Sequence, residues 1–230
     1  LPFEKGFFKR YNWDVDYVGN PVLDAVKAHQ PDKQFLTRHN LSPSGPIVAL
    51  LPGSRKQELQ NMIPVLADVV RSFPELQFVV AAVNNLDRAF YKGLAVLKNA
   101  TLVYEDTYNL LLNANSAIVT SGTATLETAL FKIPQAVVYK TSNLTYWVVK
   151  LMIRVPFISL VNLIAGREVI KELIQQKANT EDISKELNSL LHDQKYRDQM
   201  LDEYENIYKT LDTGSASDNT ARLIVKYLKN

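Results

Sequence analysis

The sequence predicts an α/β protein with a doubly wound parallel sheet, followed by a helical tail. Two observations carry this reading. Short apolar runs rich in branched residues recur at 47–51 (IVALL), 77–83 (QFVVAAV), 101–104 (TLVY), 116–120 (SAIVT) and 135–139 (QAVVY). Each is too short for a free-standing helix and reads as a strand buried on both faces. Between successive runs lies a single stretch with helical spacing, so right-handed crossovers are expected to join the strands into one parallel sheet.

The elements follow in order. Residues 1–30 are rich in aromatics (Phe3, Phe7, Phe8, Tyr11, Trp13, Tyr17) and carry a Gly19-Asn20-Pro21 turn before a short helix at 22–28. A turn cluster, Ser42-Pro43-Ser44-Gly45-Pro46, then leads into the first strand. After that strand the chain turns at Pro52-Gly53, Ser54 is placed to cap a helix, and Leu59, Met62, Ile63, Leu66, Val69, Val70 and Phe73 form one helical stripe. Pro64 falls inside that stripe and is expected to bend it. Further helices are expected at 86–97, 107–114 and 124–131. Beyond the last strand the chain turns helical, at 181–191, 195–211 and, after the Gly214-Ser215-Ala216-Ser217 break, 219–228. The expected division is an N-terminal segment at 1–45, a ligand-binding domain at 46–212 and a C-terminal helix at 213–230.

Composition narrows the function. With 230 residues, 47% hydrophobic and 22% charged, the chain is an ordinary globular protein rather than a disordered or fibrous one. A net charge of +2 does not indicate a nucleic-acid partner. The absence of cysteine removes disulfides, thiolate metal sites and cysteine nucleophiles together. His29, His39 and His192 lack metal-ligand spacing, and no metal site is expected. Neither a Walker pattern nor a GxGxxG fingerprint occurs, and Ser121 lacks the first Gly of a nucleophile elbow. No signal-peptide core is present at the amino terminus, and a chain that does not open on Met is expected to start inside a longer product. The most apolar stretch, 146–164, is broken by Lys150, Arg154 and Pro156, so it is not expected to span a membrane; Tyr146 and Trp147 are read as core or subunit contacts.

Two loops carry the chemistry. In an open α/β sheet, ligands lie beyond the carboxyl ends of the strands. The first loop, with Gly53, Ser54 and Arg55, offers backbone N–H groups, a helix dipole and a guanidinium to an anion, most naturally a phosphate. The second, Ser121-Gly122-Thr123-Ala124-Thr125, follows a strand directly and opens a helix, with small residues and hydroxyls that suit phosphate oxygens. One turn on, the carboxylate of Glu127 is placed to accept a pair of sugar hydroxyls. Phosphate at the helix start and ribose one turn along suit a nucleoside diphosphate.

These residues also resemble a family. SGTATLE at 121–127, with Pro134 seven positions after the Glu, is similar to the donor-nucleotide segment of GT-B glycosyltransferases. Together with LLPGSRKQE at 50–58, SLVNLIAGRE at 159–168, the opening LPFEK and DYVGNP at 16–21, it resembles lipid-A-disaccharide synthases over nearly the whole chain. The resemblance implies the Rossmann-like carboxyl-terminal, donor-binding half of a two-domain enzyme. That enzyme joins UDP-2,3-diacylglucosamine to 2,3-diacylglucosamine 1-phosphate with inversion and without a metal or other cofactor. It further implies a general base in the amino-terminal half, a location peripheral to the inner membrane on the cytoplasmic side of a Gram-negative bacterium, and it leaves a homodimer open. On this likeness Arg55 faces the diphosphate, backbone groups near 103–106 read the uracil, and Asn162 and Arg167 belong to the sugar or acceptor side. Two alternatives stay open: another UDP-sugar enzyme of the same fold, and a non-catalytic nucleotide-binding or assembly module.

Overall fold

All five apolar runs are strands, and a sixth joins them. The computed structural model describes residues 1–120, 122–141 and 156–229; Ser121 and the Tyr146–Trp147 pair lie outside the described residues. The strands are β1 (Ile47–Leu51), β2 (Gln77–Ala82), β3 (Ala100–Tyr104), β4 (Ser116–Thr120), β5 (Gln135–Tyr139) and β6 (Glu172–Ile174). They form one sheet in the order β3-β2-β1-β4-β5-β6, and every neighbouring pair is parallel. Ala49 stands opposite Val79 on one side and Ala117 on the other, so β1 is central. The chain winds outward from β1 through β2 to β3, then returns to lay β4, β5 and β6 on the opposite side. The carboxyl ends of β1 and β4 are therefore adjacent where the winding reverses, which is where an open sheet leaves a crevice.

Alternation along β1 builds a core on each face. Val48 and Leu50 pack into a cluster with Leu59, Met62, Leu66, Phe78 and Leu187. Ala49 and Leu51 face the other way, toward Phe35, Val79, Leu110, Ala117 and Val119. A third cluster lies around β5, where Ala136 and Val137 meet Leu126, Val161, Ile170, Met200 and Tyr204.

The N-terminal segment holds three helices, α1 (Pro2–Lys9), α2 (Pro21–Ala28) and α3 (Phe35–Arg38), of which the sequence announced the second. Asn20 starts α2 by accepting the N–H of Val22 at 2.9 Å. The helix after β1, α4 (Lys56–Ser72), runs without interruption through the exposed Pro64, and its N-cap is Arg55 rather than the expected Ser54. The single helix expected at 86–97 is instead a 3₁₀ turn, Arg88–Tyr91, and one α turn, α5 (Lys92–Ala95). Gly93 sits in the middle of this stretch, which weakens a helix there, and a Cβ on it would come 3.1 Å from Ile63 of α4.

The remaining helices are α6 (Thr107–Asn113), α7 (Thr123–Leu130), α8 (Leu160–Ala165), α9 (Thr180–His192), α10 (Gln194–Leu211) and α11 (Ala216–Leu228). The last begins three residues before the expected start at 219, because Ser215 caps it by accepting the N–H of Asp218 at 3.2 Å. The N–H of Ala216 then donates to Asp24 of α2 at 2.8 Å, and Tyr227 donates to Asp16 at 2.6 Å, so the two ends of the chain pack together. Among the described residues no helix is long and apolar enough to cross a membrane.

Candidate functional site

At the reversal point, the loops after β1, β3 and β4 open onto one cavity of about 620 Å³. Its walls include Gly53, Ser54, Arg55, Gly122, Thr123, Ala124 and Glu127, so both predicted loops face the same space.

The first loop is shaped from within. Gly53 has φ +102°, a conformation that favours glycine, and a Cβ there would collide with the side chain of Glu58. Glu58, in the first turn of α4, turns back on the loop: its Oε2 accepts the N–H groups of Ser54 at 3.1 Å and Arg55 at 3.2 Å. Its Oε1 takes the Arg55 guanidinium at 3.3 Å. This revises the expectation that free N–H groups await an anion there. Two of them already hold a carboxylate, the acidic partner of a capping box. What the loop still offers is the Arg55 guanidinium, whose side chain is 83% exposed.

The second loop keeps its helix start open. Gly122, at φ +135°, is the N-cap of α7, and among the described residues no side chain caps the helix there. A Cβ on Gly122 would meet nothing within 4 Å, so the backbone lies open to the cavity. Thr123 is exposed and Ala124 half-buried beside it. Thr125 differs from expectation. It is fully buried on the inner side of α7, and its hydroxyl donates to the Gly122 carbonyl at 2.8 Å, closing the turn instead of facing a ligand.

Glu127 is half-buried on the cavity wall, and its Oε1 accepts the hydroxyl of Tyr108 at 2.9 Å. Burial, followed by the neighbouring Glu127 carboxylate, holds the Tyr108 phenol well above its ordinary range. The Tyr108 ring lies edge-on to His29, with centroids 5.3 Å apart, and to Phe131 at 4.9 Å. The β3–α6 turn adds Glu105 and Asp106 from the predicted 103–106 stretch. Asp106 is held by Asn109 at 2.6 Å and by Arg38 at 2.5 Å.

Three wall residues, Glu58, Tyr108 and His29, were not singled out from the sequence. Glu58 carried a signal, an acidic residue at the third helical position after the loop. His29 and Tyr108 carried none, because they come from separate elements that only the fold brings together.

Asn162 and Arg167 are not brought to this cavity. Asn162 sits in α8, fully buried: its Oδ1 accepts the N–H groups of Val169 at 2.8 Å and Ile170 at 3.0 Å. Its Nδ2 donates to the Ile170 carbonyl and to Glu172, both at 2.9 Å. Arg167 is exposed and pairs with Glu203 at 2.5 Å.

Comparison with known proteins places the chain in a family and its fold among known folds. The lipid-A-disaccharide synthetase family profile matches residues 1–225. A lipid-A-disaccharide synthase of Syntrophus aciditrophicus is 36% identical over 236 residues, covering 100% of this chain and 62% of that protein. One of Coxiella burnetii is 34% identical over 227 residues, covering 96% of this chain and 60% of its own length. The chain thus spans about 60% of the length of these relatives. Among solved structures, a UDP-GlcNAc 2-epimerase from Neisseria meningitidis bound to UDP-GlcNAc superposes with a TM-score of 0.62 at 18% identity, covering 94% of this chain and 56% of that one. The Escherichia coli ADP-heptose lipopolysaccharide heptosyltransferase II gives 0.51 at 13% identity, over 80% and 55% of the two chains. The latter two likenesses establish the fold, a Rossmann-like half of the GT-B kind. The profile match over nearly the whole length, with the sequence identity to the synthases, establishes that the chain belongs to the lipid-A-disaccharide synthetase family.

Proposed function

We propose that this chain is the donor-binding half of a lipid-A-disaccharide synthase, and that its cavity holds the UDP part of UDP-2,3-diacylglucosamine. The observation that carries the reading is the convergence of Arg55 and the glycine-headed start of α7 on one cavity at the reversal point of the sheet. A diphosphate lying between them meets a guanidinium on one side and backbone N–H groups on the other.

The rest of the wall suits the rest of the nucleotide. Glu105, Asp106 and Glu127 are acceptors, and a nucleoside presents donors: ribose hydroxyls and the imide N–H of uracil. Glu127 takes the ribose, and the turn at 103–106 takes the base. Gly53 and Ser54 shape the turn that presents Arg55; Gly122, Thr123 and Ala124 contact phosphate, with Ser121 beside them in sequence. Thr125 supports that turn from behind.

Chemically, the acceptor 6-hydroxyl of 2,3-diacylglucosamine 1-phosphate attacks the anomeric carbon of the donor while the bond to UDP breaks. Charge accumulates on the departing diphosphate, and Arg55 with the α7 dipole offsets it without a metal ion. Removal of the hydroxyl proton needs a base. Family likeness assigns that base to an amino-terminal half, so this chain by itself is expected to bind and not to turn over. Acylated substrates suit work at a membrane surface, and the family likeness supports a peripheral position on the cytoplasmic side of the inner membrane.

The test is calorimetric titration of the chain with UDP. Binding is expected, and Arg55→Ala should weaken it about tenfold or more, as loss of a charge-assisted hydrogen bond does. No heat at millimolar UDP would overturn the reading. Disaccharide formation on restoring an amino-terminal half, with a preference for the diacylated donor over UDP-GlcNAc, would establish the substrate.

A further inference from the structure

Resting on the nucleotide reading above, we propose that Tyr108 is a positioning residue that sets the preference for ribose over deoxyribose by fixing the carboxylate of Glu127. Glu127 has two oxygens and, among the described residues, one hydrogen-bond partner. Tyr108 donates to Oε1 at 2.9 Å, and Oε2 has no hydrogen-bond partner among the described residues. A glutamate on a helix has three side-chain torsions, and without a tether its carboxylate would spread over several rotamers on the cavity wall. With one oxygen held, the other points from a fixed place and can accept a hydroxyl with defined geometry.

Tyr108 is built to act as such a tether. Its ring is wedged edge-on between His29 and Phe131, at 5.3 and 4.9 Å. His29 is itself held through its Nε2 to Asn109 Oδ1 at 3.2 Å. The same Asn109 oxygen accepts the N–H of Asp32 at 2.8 Å, so the segment after α2 is pinned against α6 behind the ring. The proton of the pair stays on Tyr108, because burial and the adjacent carboxylate both disfavour the phenolate. Glu127 is therefore the acceptor from Tyr108 on one oxygen and free to accept from a ligand on the other. A hydroxyl at the ribose 2′ position can use that oxygen; a 2′ hydrogen cannot, and leaves it desolvated and unpaired.

The experiment compares UDP, 2′-deoxy-UDP and inorganic pyrophosphate on the 230-residue chain. The wild type should bind UDP about tenfold more tightly than the deoxy form, the range expected for one hydrogen bond to a charged group. Tyr108→Phe removes one oxygen and should bring that ratio below about threefold while leaving pyrophosphate affinity within about twofold. Glu127→Gln should lower the ratio too, and adding Tyr108→Phe to it should cost nothing further. His29→Ala, which removes one of the wedging rings, should lower the ratio in the same direction and serves if the Phe variant does not fold. The proposal is overturned if Tyr108→Phe keeps the wild-type ratio, if it weakens pyrophosphate as much as UDP, or if it still lowers affinity in the Glu127→Gln background. A wild type that binds UDP without discriminating overturns it and leaves the diphosphate site standing. A wild type that binds no UDP defeats the nucleotide reading itself.

Discussion

The carboxylate of Glu58 holds the backbone N–H of Arg55 at 3.2 Å and reaches its guanidinium at 3.3 Å, yet the two side chains differ sharply in exposure, 13% for Glu58 against 83% for Arg55. One residue builds the loop and the other is displayed by it. The difference predicts opposite phenotypes. Glu58→Ala should lower unfolding stability by about 1 kcal/mol, the usual worth of an N-terminal cap. Arg55→Ala should leave stability within about 0.5 kcal/mol, since an exposed ion pair contributes little. Urea denaturation of both variants decides it, and an Arg55→Ala midpoint as low as that of Glu58→Ala would show that Arg55 is a structural residue.

Asn162 makes the contrary case, of a candidate ligand residue that the fold consumes. Its amide bonds two backbone N–H groups, a backbone carbonyl and the Glu172 carboxylate, all away from the cavity. Asn162→Ala should destabilise the chain by about 2–4 kcal/mol, because it strands several buried groups at once. UDP affinity, measured well below the new melting transition, should stay within about twofold. A stable variant with impaired nucleotide binding would restore the ligand role instead.

His39 should give the chain a weakness in mild acid. Burial first, and then the Arg38 charge, hold its imidazole below the ordinary value of 6.5, against the opposing pull of Asp106 and Asp32. Its Nε2 is buried without a hydrogen-bond partner among the described residues. A depressed folded-state value means that stability is fully present above pH 6.5 and is lost as pH falls through the folded value, since the unfolded chain takes up the proton first. Glu205 and Asp212, also shifted downward by Lys132 and Lys27, act only below their ordinary 4.5 and 3.8, so the two effects separate. Unfolding free energy should therefore decline as pH falls below 6.5 in the wild type and decline less in His39→Leu. Parallel profiles for the two proteins would remove His39 as the cause.

Much of this fold was legible because its strands are apolar on both faces. β1, β4 and β5 fall at their expected bounds, and β2 and β3 within one residue. β6 escaped notice because three residues beginning with a glutamate carry no periodicity, and Glu172 is there to bond Ser159 and Asn162. The two loops of the candidate site were legible for the same reason, since each follows a recognisable strand. Their internal wiring was less so: the acid at the third helical position is the one hint that Glu58 would occupy the first loop's N–H groups, and nothing in the order of residues says that Thr125 would face inward. Likewise, the closeness of Tyr108 to Glu127 depends on the crossover that brings α6 beside α7, a distance set by packing.

His29 lies at the end of α2, before the sheet has begun, and still forms part of the cavity wall. A fragment trimmed to start at Ile47 would retain the six described strands and their ladders, but the recess would be breached along one flank and the aromatic ring of residue 108 would keep only Phe131 of its two flanking rings. An intact cavity wall thus reaches back beyond the first strand, to the helix that ends at Ala28.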